Sequence, residues 1–251
     1  VISSISFIVS AKENKEYTSD NFLSVADGII AWKKADNGSE PDGYLINDKY
    51  LENAGTTPGD WYPIALGRLG IQDNNEGYLA VIKDRVEERY RESGRLSAAK
   101  ATEWHRIALA VLAMGGDPTN FGTDENGAPI NLIADGTYDR GKTTPLGRQG
   151  INGWIWGLIT LDSMRYAVPD GAYNTRDDII VEIISKQLSD GGFALSSDDA
   201  DPDITAMAIT ALAPYYNSEK TYSYHRKALS ADETKTVHEV VDEAVLCLSR
   251  L

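Results

Sequence analysis

A chain of 251 residues with 24 basic and 38 acidic side chains carries a formal net charge of −14 and one cysteine. That balance argues against a nucleic-acid backbone or an anionic membrane surface as partner, and a single thiol, Cys247, excludes a disulfide framework and a cysteine zinc cluster. No run reaches the roughly 20 apolar residues of a spanning helix, so one sizeable core and no membrane insertion are expected.

Residues 1–19 read as an N-terminal arm and connector. VISSISFIVSA (1–11) is apolar and β-leaning, either a packed strand or a trimmed targeting remnant, and KENKEYTS is solvated. Ser19 or Asp20 is positioned to cap a first helix through about Ala35, with Phe22, Val25, Ile29 and Trp32 along one side. After DNGSEPDG, a second helix follows TTPGD and stops at Gly70. Glu76 to Arg91 alternates charge with Leu79, Ile82, Val86 and Tyr90, as an outer helix does, and its partner at about 100–114 is far less charged. A short helix near Pro129 to Ala134, an apolar one from Ile151 to Met164, an amphipathic one from Thr175 to Leu188 and an Ala-rich one from Asp203 to Tyr215 continue the alternation. The last predicted helix, about 232–250, has no following partner, so the ring is incomplete in this sequence or continues beyond it. Cys247 lies on the apolar face of that helix and reads as a core side chain.

A small residue recurs at Ala65, Ala108, Gly157 and Ala208, each four before a leucine (Leu69, Leu112, Leu161, Leu212), at spacings of 43, 49 and 51 residues. Helical repeats of this length stack as hairpins that bury a face against the next. Less polar helices alternating with amphipathic ones imply two concentric layers. The fold expectation is therefore all-α, an α/α toroid or barrel of helical hairpins over residues 20–251, with a short N-terminal strand or extended arm.

The segment from Gln187 to Phe193 matches the Q-x3-G-x-W/F spacing of the turn repeats of squalene and oxidosqualene cyclases and protein prenyltransferases. Asp201-Pro-Asp203-Ile204-Thr205-Ala206 resembles the D-x-D-D-T-A segment of class II terpene cyclases. The chain as a whole resembles the prenyltransferase-like repeat domains of bacterial surface proteins, and the same toroid forms the larger domain of the transcobalamin and intrinsic factor family. That resemblance implies an extracellular or cell-surface setting. It also implies a catalytic alternative, in which Asp203 is the acid that protonates a polyene and Asp201 supports it. Ile204 stands where the motif has its final aspartate, which removes one carboxylate from that machinery. The other reading of Asp203 is a cap for a helix beginning at Ile204.

Asp60, Glu103 and Asn152 occupy the position of Asp203 in the earlier repeats, one at each inner-helix start. If the inner helices run parallel, these residues with Trp61, Trp104 and Trp154 ring one mouth and form a candidate ligand site, the aromatics for an apolar or cationic body and the carboxylates for a cation or polyol. Core packing is the competing role for the tryptophans. His105, His225 and His238 are too scattered to make zinc sites with Cys247. The loops DNGSEPDG, GTDENGAP and SSDDADPD offer oxygen ligands for calcium without the twelve-residue spacing. No nucleotide-binding or common hydrolase motif is present. The expectation is a noncatalytic binding domain with no cofactor, acting on a small-molecule or protein ligand at the toroid mouth and beside other domains of a longer protein. A cyclase-like enzyme and a cobalamin-binding module are the alternatives.

Overall fold

The computed structural model describes residues 19–141 and 145–251. The expected N-terminal strand and arm, and the capping side chains of Ser19 and Asp20, lie outside what is described. Among the described residues the chain is mostly helical: α1 (Ser19–Asn37), α2 (Asp48–Leu51), α3 (Thr57–Leu69), α4 (Asn75–Ser93), α5 (Ala101–Ala113), α6 (Leu132–Gly136), α7 (Ile151–Asp162), α8 (Arg176–Ile184), α9 (Pro202–Leu212) and α10 (Val237–Leu248). A two-stranded antiparallel sheet, β1 (Thr221–Arg226) and β2 (Ala231–Thr236), separates α9 from α10.

The less polar helices form a row. α3 packs on α5, α5 on α7, and α7 on α9, with α10 against α9. α5 buries Trp104, His105, Ile107, Ala108, Ala110 and Val111, which spread round most of its circumference. Outer α4 buries only Tyr78, Ile82, Val86 and Tyr90, a single stripe at four-residue steps, and leaves Lys83, Asp84 and Glu88 in water. The small repeat residues serve the expected close packing at Ala108, Gly157 and Ala208, all buried. Ala65, the first of the four, is exposed and borders a groove between α1 and α3. Closest approach in the row is at Gly67, where an added Cβ would sit 2.0 Å from the carbonyl oxygen of Ala113. Gly70 ends α3 in the left-handed conformation, as its sequence position predicts.

The turn between α8 and α9 explains its own motif. Gln187 is fully buried, and its amide donates to the carbonyls of Gly191 (2.8 Å) and Val240 (2.9 Å), fastening the turn to α10. Gly191 takes φ 92°, which a residue with a Cβ strongly disfavours. Phe193 is buried beneath, and the Thr205 hydroxyl both accepts from its N–H (2.9 Å) and donates to its carbonyl (3.1 Å). The glutamine, glycine, aromatic and threonine are thus a self-contained staple between neighbouring hairpins.

Two expected boundaries need correction, and one apolar stripe is left uncovered. The final helix begins at Val237 rather than 232, because residues 231–236 pair with 221–226 from Thr221↔Thr236 to Arg226↔Ala231. Good helix formers in ADETKT conceal the strand, whereas TYSYHR alternates strictly, with Tyr222, Tyr224 and Arg226 buried. Arg226 anchors the hairpin by donating from Nε to the carbonyl of Gln187 (3.0 Å) and pairing with Glu233 and Glu243. The short helix starts at Leu132, capped by Asn131, while Pro129 closes the preceding loop in a bridge with Thr123. The stripe of α1 stays open to water: Phe22, Val25, Ile29 and Trp32 are 58, 59, 49 and 62 % exposed.

Candidate functional site

A cleft of about 760 Å³ runs along the row of α3, α5, α7 and α9. It draws on all four helices: Trp61, Ile64 and Arg68 from α3, Leu109 and Leu112 from α5, Trp156 and Ile159 from α7, Thr210 and Ala211 from α9. Most of these lie in the C-terminal halves of their helices. The lining is mainly apolar, and its volume falls within the range of small-molecule sites. Trp61 and Trp156 face each other from α3 and α7 with ring centroids 5.5 Å apart and planes tilted by 58°. Trp61 is 42 % exposed, an unusual amount of aromatic surface for a side chain already in contact with another tryptophan.

Two charged side chains border the cleft, Arg68 and Asp162. Asp162 is engaged on both oxygens: Oδ1 accepts from Arg176 Nε at 2.9 Å and Oδ2 from the Tyr215 hydroxyl at 2.8 Å. Burial, then the bond to Asp162, raises the phenol of Tyr215 and keeps it a donor. Arg68 is exposed in the last turn of α3 and makes no hydrogen bond or ion pair among the described residues.

The residues expected to ring one mouth do not line this cleft, apart from Trp61. Asp60 lies in the first turns of α3 but is fully buried, accepting from Gly55 N–H, the Tyr78 hydroxyl and Arg106 Nε, each at 2.7 Å. Burial raises its carboxyl above the usual range against the pull of those three donors. Glu103, in the first turn of α5, accepts from Ser97 N–H (2.5 Å) and pairs with Arg89 at 3.4 Å. Trp104 is buried, donating to the Tyr90 hydroxyl (3.0 Å) with the Arg140 guanidinium 4.2 Å from its ring centroid. Burial lowers Arg140 to about 10. Asn152 and Trp154 are half-buried at the start of α7, and the Asn152 side-chain oxygen has no hydrogen-bond partner among the described residues. Of the six, Trp61 alone borders the cleft.

Asp60, Glu103, Asn152 and Asp203 are also not the caps. Thr56, Lys100 and Gly150 occupy the cap positions of α3, α5 and α7 without side-chain bonds. In α9 it is Asp201, not Asp203, whose Oδ1 accepts from Ile204 N–H at 2.9 Å. Asp203 is exposed in the first turn. It is seven residues from Thr210, roughly 10 Å along the helix from the cleft lining.

Trp156 and Arg68 are the site residues that sequence reasoning missed. Trp156 stands in the repeat alignment itself, immediately before Gly157, but its neighbour Trp154 sits nearer the helix start and drew the assignment. Among the described residues no group of three or more His, Cys, Asp or Glu side chains is arranged to hold a metal ion, and no helix is long and apolar enough to cross a membrane. No known protein family, curated protein or solved structure matches this chain.

Proposed function

We propose that this chain is a binding module of the α/α-toroid type whose inner helices hold an apolar small molecule in the axial cleft. The observation that carries this reading is the tryptophan pair. Trp61 and Trp156 leave aromatic surface open inside a 760 Å³ recess contributed by four consecutive inner helices. Exposed aromatic faces in a concave apolar setting are what a ligand-binding cleft requires. Following its resemblance to the prenyltransferase-like repeat domains of surface proteins, the module belongs outside the cell or on its surface, beside other domains. Binding fits better than polyene cyclisation, which needs a carboxylic acid facing a dry cavity, whereas Asp203 is exposed and beyond the cleft lining.

Titration with the neutral fluorophore N-phenyl-1-naphthylamine tests the reading. Saturable binding with quenching of tryptophan emission is expected. Trp156→Ala removes one wall and should weaken binding roughly 10- to 100-fold, the equivalent of about 1.5–3 kcal/mol of lost apolar contact. A probe that does not saturate, or an affinity indifferent to Trp156→Ala, refutes the proposal.

A further inference from the structure

We infer that the ligand of the axial cleft is a free anionic amphiphile, an apolar body bearing a carboxylate, sulfonate or phosphate, with Arg68 as its charge-recognising residue. The inference rests on the cleft being a binding site and specifies what that site selects.

Charge along the lining is unbalanced. Asp162, the acidic group there, has both oxygens occupied by Arg176 and Tyr215. Arg176 itself is held in place by the carbonyls of Leu161 (3.0 Å) and Tyr166 (2.6 Å), so this pair is a closed unit. Among the described residues the Arg68 guanidinium makes no hydrogen bond or ion pair, and it lies beside the cleft with Trp61 and Ile64 of the same helix, in a chain with 38 acidic and 24 basic side chains. An apolar body filling the cleft covers part of the guanidinium's hydration. A neutral or cationic ligand leaves that loss uncompensated, whereas an oxyanion replaces the water with charge-assisted, bidentate hydrogen bonds.

Much of the lining comes from the C-terminal halves of the helices, whose ends carry partial negative charge, which opposes an anion. At α3 this is offset locally, since the carbonyls of Gly67 and Leu66 accept from Gly70 and Ile71 N–H (3.2 and 3.0 Å) and Arg68 sits in that last turn. Complementing the helix end is therefore a second role open to Arg68, and the test has to separate the two. The ligand is taken to be free rather than a membrane lipid, because the site is recessed between helices and a surface of net charge −14 is repelled by anionic bilayers.

Calorimetric titration of the whole chain with three probes sharing one ring system decides it: 1-naphthaleneacetate, 1-naphthaleneethanol and 1-naphthylmethylammonium. The acetate is expected to bind roughly tenfold or more tightly than the alcohol, and the ammonium weakest. Arg68→Met, which keeps the aliphatic stem and removes the hydration that a neutral ligand displaces, should abolish the acetate's advantage by weakening the acetate while the alcohol binds as well or more tightly; Arg68→Lys should retain part of the advantage. A pure helix-end role changes stability slightly and no probe affinity. Equal binding of acetate and alcohol, or tighter binding of the ammonium, overturns the inference while the cleft remains a binding site. Failure of all three probes to bind removes both readings. Co-sedimentation with vesicles of anionic phospholipid should give no enrichment, and enrichment lost in Arg68→Met would move the ligand to the membrane and overturn the free-ligand assignment.

Discussion

Acidifying the protein from pH 7 to pH 5 should cost about 2 kcal/mol of folding stability through one side chain, His105. Its ring is completely buried on α5, with Nε2 2.7 Å from the carbonyl oxygen of Gly136 and Nδ1 without a partner among the described residues. Burial drives its pKa from 6.5 down to about 3, with the carbonyl pulling the other way and Arg140 adding a smaller push down. In the unfolded chain the imidazole takes its proton below 6.5, whereas in the folded chain it stays neutral until about pH 3. Across that window the unfolded state binds the extra proton, so stability falls as pH falls, at about 1.4 kcal/mol per unit once well below 6.5. Urea unfolding at closely spaced pH values measures this directly. His105→Gln retains an N–H for Gly136 and cannot titrate, so its stability curve should be flatter by one proton between pH 6.5 and 5. Packing loss in the variant lowers the whole curve without changing that slope. His225 and His238, exposed beside Asp232 and Asp242, the buried Asp60 and the half-buried Asp135 are common to both proteins and cancel in the difference. Parallel curves for the two proteins would refute a buried neutral His105.

Two further outcomes follow from the packing of the inner row. Gly67→Ala drives a methyl group into the Ala113 carbonyl, 2.0 Å away, and backbone cannot yield as a side chain can; a loss of about 1–3 kcal/mol in urea unfolding is expected. Since Gly67 and Ala113 both border the cleft, the same change should weaken naphthyl-probe binding, and an unaltered unfolding midpoint would mean that α3 and α5 do not approach here. Asp60→Ala strands Arg106, the Tyr78 hydroxyl and Gly55 N–H, and should cost about 3–5 kcal/mol. Pairing it with Arg106→Met should recover part of that loss, and a single-variant loss below about 1 kcal/mol would contradict a buried ion pair.

Much of the local structure was legible because it is written in short-range patterns. The four-residue stripe of α4, the glycine after α3 and the small residues of three inner helices lead from periodicity to the observed elements. The turn from Gln187 to Phe193 was legible as a unit, and the structure supplies its physical meaning in the hydrogen bonds of Gln187 and Thr205. The hairpin was not, because ADETKT becomes a strand only by pairing with TYSYHR, and pairing is invisible within one segment. Charge misled in the same way. Asp60 and Asp203 hold equivalent places in the repeat, yet one is sealed beneath Arg106 and the other stands in water.

What the amino-acid sequence determined by itself is the succession of helices, their division into polar-faced and apolar kinds, and the turns that join hairpins. The location of the site came only from tertiary structure. Trp154 and Trp156 are two residues apart, hence roughly 200° apart around α7; nothing local says which one faces the cleft. Packing of α7 against α5 and α9 sets its rotation, turning Trp156 toward Trp61 and leaving Trp154 against Gly147 near the helix start. A cleft is a property of how four helices are rotated about their own axes, and that rotation is decided when their buried faces meet.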